Sequence, residues 1–318
     1  EQMMHTDTAA LNDYLKAYTD YMPNSEACQV NIANSIWFRD RDSLAINEDF
    51  LKTSRNYYDA SIFEAPFDAG TKDDINSWVK KVTNGMIQKL LDSTPSRDAV
   101  MYLVNALSFD GEWRDIYKKN QIHKGTFNAE NGEHQPAEFM YSTEAVYLEN
   151  TWGRGFLKPY GDGAYAFAAV LPDEGMTMKE FLERLKENGI TDLLEQTRNK
   201  TVGVSLQKFT VENNVVLNES LMESGMKDAF DSQKADFSSM AHSDNDNIYI
   251  SKVIHKTKID VDEKGTKAGA VTAVEVSEGS AVQTEEPKEV FLDRPFFYMI
   301  IDTRQNVPLF MGCLMQME

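Results

Sequence analysis

The five histidines of this chain, His5, His123, His134, His242 and His255, are scattered and show no metal-ligand spacing. No G-x-S-x-G, H-E-x-x-H, C-x-x-C or phosphate-binding glycine loop occurs, so nucleophile, zinc and nucleotide chemistry lack the residues that would carry them. Glu133-His134 and the run Asp244–Asn247 read as solvated turns rather than ligands. Paired carboxylates are everywhere in so acidic a chain and single out nothing. Cys28 and Cys313 are too few and too distant to read as a disulfide framework. The expectation is therefore a protein that is not an enzyme and needs neither metal nor cofactor.

The stretch with unusual residue types is Asp262–Ser280, D-E-K-G-T-K-A-G-A-V-T-A-V-E-V-S-E-G-S. Read at period two, Thr266, Ala268, Ala270, Thr272, Val274 and Val276 share one face, small and uncharged. Lys267, Gly269, Val271, Ala273, Glu275 and Ser277 share the other, which carries both charges. A strand with this pattern can lie with one face on a core and one towards water. Yet about 25 residues here lack a large anchor, which is long for a connection inside a compact domain.

Around it, the periodicity predicts a helix over Ala9–Tyr21, a strand over Cys28–Arg39, a helix over Glu48–Tyr58 and a short strand over Ser61–Phe67. A helix over Asp73–Leu91 follows from the apolar stripe Ile75, Trp78, Val79, Val82, Met86, Ile87 and Leu90. Ala99–Ser108 is an apolar run suited to a central strand, and Lys124–Leu171 breaks into several short strands at Gly and Asn turns. Helices are expected at Thr177–Asn188, Ile190–Arg198 and Val216–Ala229, and strands at Thr201–Glu212, Asn247–Val261, Val290–Leu292 and Phe296–Ile301. No βαβ rhythm and no internal repeat appears, which makes the class α+β with mixed sheets.

The 318 residues carry 51 acids against 32 bases, a net charge of −19, which disfavours nucleic acid and anionic membrane surfaces as partners. Nothing approaches the eighteen or so consecutive apolar residues of a membrane span.

The stretch Glu263-Lys264-Gly265-Thr266-Lys267-Ala268-Gly269-Ala270 resembles the hinge of the serpins, where an acid, any residue and Gly-Thr lead into small residues. Further segments are similar to that family: Ser251–Lys256, Val104–Trp113 (V-N-A-L-S-F-D-G-E-W), Val204–Phe209, Ala235–Ser238, Arg294–Ile300 and Pro308–Gly312. The likeness is collinear over essentially the whole chain. Glu1-Gln2-Met3-Met4 resembles a segment that serpins carry well inside their fold, so the family's first helices are expected to be missing.

The resemblance implies a serpin fold: a large central mixed β-sheet, smaller sheets and surrounding helices, in a single domain over residues 1–318. The hinge and reactive-centre loop would span about 262–288. It also implies suicide inhibition of a serine protease, which cleaves the loop; the loop then inserts as an extra strand of the central sheet before deacylation. The implied hinge is Glu263, Gly265, Thr266, Ala268, Gly269 and Ala270. Trp113, Lys208 and Glu263 resemble the group where the sheet first opens, with a Lys208–Glu263 ion pair. Asn105 and His255 resemble the pair beneath the sliding strands, where a buried hydrogen bond would bias the open and closed states. Gln207 replaces the usual proline, and Ser108 and Asp110 replace an aromatic and a base.

Counting from the hinge acid as in the family places the scissile bond at Gly279–Ser280, with the bonds after Val276, Glu278, Ala281 and Val282 left open. No Arg or Lys stands between Val271 and Thr284. The loop therefore suits elastase-like or subtilisin-like serine proteases, or a Glu-specific one at Glu278, rather than trypsin-like enzymes. The expected protein is an extracellular or cell-surface monomer that does not bind heparin. The alternative is a non-inhibitory serpin acting as a carrier, chaperone or storage protein; the small residues Ala268–Ala273 favour inhibition.

Overall fold

The computed structural model describes residues 7–40, 44–96, 99–195, 197–244, 247–250, 253–266 and 288–317. Its chain contacts define two compact units, where the sequence reading treats residues 1–318 as one domain. The first comprises the residues up to Pro23 with Val30–Ser108 and Glu212–Lys258; the second comprises Asn24–Gln29, Phe109–Val211 and Ile259–Glu318.

A six-stranded sheet has the order Phe209–Val216, Ile254–Val261, Gly265–Thr266, Met101–Glu112, Cys28–Arg39, Ser61–Ala65. It is mixed: Cys28–Arg39 runs parallel to Ser61–Ala65, whereas Gly265–Thr266 is antiparallel to both its neighbours. The expected α+β class with a large mixed sheet is what the chain forms.

In the first unit, the helix Ala69–Val82 buries Ile75 and Val79 in a core with Trp37, Phe67, Ile87, Leu91 and Val104. A capping box starts this helix: Asp68 accepts from the Thr71 amide while Thr71 Oγ1 accepts from the Asp68 amide. The sequence predicts a helix continuing to Leu91, but it ends at Val82. Thr83 Oγ1 donates to the Val79 carbonyl and accepts from the Ile87 amide, and Asn84 and Gly85 take φ of 50° and 75°. Met86, Ile87 and Leu90 are buried all the same, as irregular chain. The helix expected over Val216–Ala229 shortens to Asn218–Glu223, because Gly225 at φ 109° turns the chain away.

In the second unit, a six-stranded sheet is centred on Tyr165–Pro172, of which every residue is buried. It pairs with Gly153–Pro159 on one side and Phe296–Asp302 on the other. The helical segment Met178–Glu195, broken at Gly189 (φ 86°), supplies Phe181, Leu185 and Leu193 to the core beneath it. A four-stranded sheet joins Lys288–Phe291, Val202–Gln207, His134–Glu144 and Ile122–Asn128. The strand expected over Thr201–Glu212 divides at Lys208, so Val202–Gln207 and Phe209–Val216 belong to different sheets.

Candidate functional site: the hinge and the group that holds it

Asp262 turns the chain. Its carboxylate accepts from the amides of Lys264 (2.7 Å) and Gly265 (3.1 Å), and its own amide donates to the Gly265 carbonyl (2.9 Å). The turn sets Gly265 opposite Glu112 and Thr266 opposite both Gly111 and Val261. Thr266 is fully buried, and its hydroxyl lies 2.6 Å from that of Tyr160. Burial raises the Tyr160 phenol well above its ordinary pKa, so the pair is neutral.

Three successive hinge carbonyls are captured by one short segment. Trp113 Nε1 donates to Asp262 O (2.9 Å), the Tyr117 amide to Glu263 O (2.9 Å) and the Trp113 amide to Lys264 O (2.8 Å). The Trp113 ring stacks on Tyr160 at 4.4 Å and meets Phe167 edge-on. Each of these donors and acceptors is a group that burial would otherwise leave costly.

Lys208 lies 2.8 Å from Glu263 and 3.4 Å from Glu138. The hydrogen bond from Lys208 is the main reason the Glu263 carboxyl sits below its ordinary pKa. For Lys208, burial disfavours the ammonium, but the bonds to Glu263 and Glu138 together outweigh it and raise the pKa. The sign of the pH effect follows. Glu263's share of stability is present above its ordinary 4.5 and lost as pH falls through the lowered value. Lys208's share is present below 10.5 and lost as pH rises through the raised value. Both groups are part-exposed, so the pair contributes at most about 1 kcal/mol. A double-mutant cycle with Lys208→Met and Glu263→Gln should give a coupling that is flat between these limits and vanishes at strongly acid pH.

Trp113, Lys208, Glu263, Gly265 and Thr266 are thus brought together. Ala268, Gly269, Ala270 and the expected bond Gly279–Ser280 lie outside the described residues. Asn105 and His255 are both exposed; Asn105 Nδ2 donates to Asn34 Oδ1 (2.9 Å), and among the described residues no hydrogen bond joins it to His255. The expected buried bond is not formed because strand alternation turns Val104 and Ala106 inward and Asn105 outward.

Gln207 is fully buried, and neither atom of its amide has a partner among the described residues. Gln207→Met keeps the volume and removes the desolvation penalty, so it should stabilise the protein by about 1–3 kcal/mol, measured by urea unfolding. Cys28 is buried and Cys313 part-buried: burial, then the charge of Asp162, pushes Cys28 up to about 12, and burial with Glu130 pushes Cys313 up to about 11. Among the described residues no group of three or more His, Cys, Asp or Glu is placed to hold a metal, and no helix is long and apolar enough to cross a membrane.

Sequence reasoning missed Tyr160, Tyr117 and the buried pair Lys158–Glu144 (2.8 Å). The available signal was Lys158 sharing the inward period of Phe156 along Gly153–Pro159.

The serpin (serine protease inhibitor) family model matches residues 1–317. An uncharacterized serpin-like protein of Methanosarcina mazei is 31% identical over 291 residues, which cover 89% of this chain and 66% of that protein. The thermophilic serpin tengpin in its native state superposes with a TM-score of 0.91 at 43% identity, covering 99% of this chain and 80% of that one. Tengpin in its latent state gives a TM-score of 0.86 at 42% identity, with 99% and 83% covered. The chain belongs to the serpin family, whose members are generally protease inhibitors rather than enzymes. It spans about two thirds of the length of the curated serpin-like relatives it matches.

Proposed function

We propose that this protein is an inhibitory serpin that traps a serine protease by inserting its cleaved loop into the six-stranded sheet. The observation that carries this reading is the register of Gly265–Thr266, antiparallel to Met101–Glu112 on one side and to Ile254–Val261 on the other. Continuing that register would set Val276 opposite Met101, extending along Met101–Glu112 the pairing that Gly265–Thr266 begins on that edge. Thr266 points inward, and the period-two face that continues from it, Ala268, Ala270, Thr272, Val274 and Val276, carries neither charge nor bulk. Such residues fit between packed layers. The same small face weighs against the carrier, chaperone or storage reading.

Gly279–Ser280 is the proposed scissile bond, and the absence of Arg and Lys around it points to elastase-like or subtilisin-like targets. The partner is a protease held covalently by a monomeric inhibitor at the cell surface or outside the cell.

The test mixes the protein with neutrophil elastase and then subtilisin, looks for an SDS-stable complex, and weighs the small C-terminal fragment. A complex with a fragment beginning at Ser280 supports both claims. Cleavage without complex across a broad protease panel would replace inhibition with the non-inhibitory reading.

A further inference from the structure

Lys158 sits in the strand Gly153–Pro159 with 1% of its side chain exposed. Its ammonium is 2.8 Å from Glu144 Oε1, 3.3 Å from the Asp115 carbonyl and 4.4 Å from the centre of the Tyr117 ring; the Trp113 ring lies at 5.4 Å. Glu144 is 7% exposed and also accepts from Ser142 Oγ at 2.6 Å, which in turn is within hydrogen-bond distance of the Tyr117 hydroxyl. The cation is therefore surrounded by one carboxylate, one main-chain carbonyl and two aromatic faces.

What it touches is the underside of the segment that captures the hinge. Trp113 and Tyr117 bind the carbonyls of Asp262, Glu263 and Lys264, and Asp115, held by Lys158, lies midway between them. A buried ion pair is a costly way to fill space, since apolar side chains of equal volume often give equal or better stability. Its donors are directional, however, and fix the Asp115 peptide and both rings in a way that a methylene chain cannot.

We infer that Lys158, locked in place by Glu144, is a positioning residue for the hinge: it holds Trp113–Tyr117 in the geometry that captures three hinge carbonyls, and so resists release of the loop root. As a contribution to the threshold for strand insertion, the inference rests on the inhibitory reading above. As a contribution to hinge geometry it does not.

The test is hydrogen exchange on the intact protein, comparing wild type with Lys158→Met/Glu144→Gln. The double variant removes both charges together and leaves neither buried alone. Peptides carrying the Trp113 and Tyr117 amides should exchange about tenfold faster, the loss of one charge-assisted bond. Tyr165–Pro172 and Phe296–Asp302 in the same unit should keep their protection. Unchanged exchange at Trp113 and Tyr117 would overturn the inference, as would an equal loss across those two strands, which is the signature of a merely structural pair. If the double variant does not fold, Glu144→Gln alone is judged by the same two criteria. Protease assays run on the same samples separate the two claims. Wild type that forms no complex with any protease, with exchange responding as expected, removes the inhibitory reading and leaves the positioning role standing.

Discussion

Replacing Gly265 by valine should lower the stability of the protein by about 1–3 kcal/mol and loosen the hinge turn. The reason is space. A Cβ at Gly265 would overlap the carbonyl oxygen of Gly111 and crowd the Cα of Glu112, and these are backbone atoms with no rotamer to change. The strand cannot move aside, because Gly265–Thr266 is paired on both edges. Overpacking at such a contact costs about 1–3 kcal/mol. The contact exists before any cleavage, so the cost falls on the folded protein itself and unfolding reads it directly. Gly265→Ala, with the same Cβ and no branches, should lose less. The readout is urea unfolding, with hydrogen exchange at Gly265 and Thr266 locating the damage. Wild-type stability in the valine variant would mean that the strand shifts to make room.

The strands were legible in the sequence because they rest on local alternation, whereas the hinge was legible only through the resemblance that its contiguous motif carries. Cys28–Arg39 alternates and forms the strand it predicts, and E-K-G-T marks a turn whose acid reaches Lys208, whose glycine lies against Gly111 and Glu112, and whose threonine meets Tyr160. Boundaries failed where a side chain intervened. The apolar stripe past Val82 was real as burial and wrong as helix, since Thr83 bonds the chain into a turn that Asn84-Gly85 completes. The pairing of Lys158 with Glu144 was illegible for a different reason. They lie on separate strands, and nothing in a lysine's own neighbourhood says which carboxylate will face it. The same holds for Tyr117, whose partner Glu263 is fixed by sheet order rather than by sequence spacing.

Trp113→Ala should be the most damaging single change outside the hinge itself, costing about 3–5 kcal/mol. The ring is 2% exposed and fills the space between Tyr160 and Phe167, so its removal opens a cavity under the hinge. It also leaves the Asp262 carbonyl without the indole donor, which alone costs about 1–3 kcal/mol if nothing replaces it. Trp113→Phe separates the two effects. A phenyl ring keeps most of the stack on Tyr160 and loses only the N–H, so its cost should match the smaller figure. The place where that cost falls distinguishes a clamp from ordinary core. With phenylalanine, exchange of the Lys264 and Gly265 amides should rise, because the Asp262 turn that accepts them is no longer held from Trp113. Protection of Tyr165–Pro172 should stay. If urea unfolding gives the phenylalanine variant nearly the full alanine cost, the indole N–H is the dominant tie between Trp113 and the hinge. If it gives almost none, the stack alone holds the loop root.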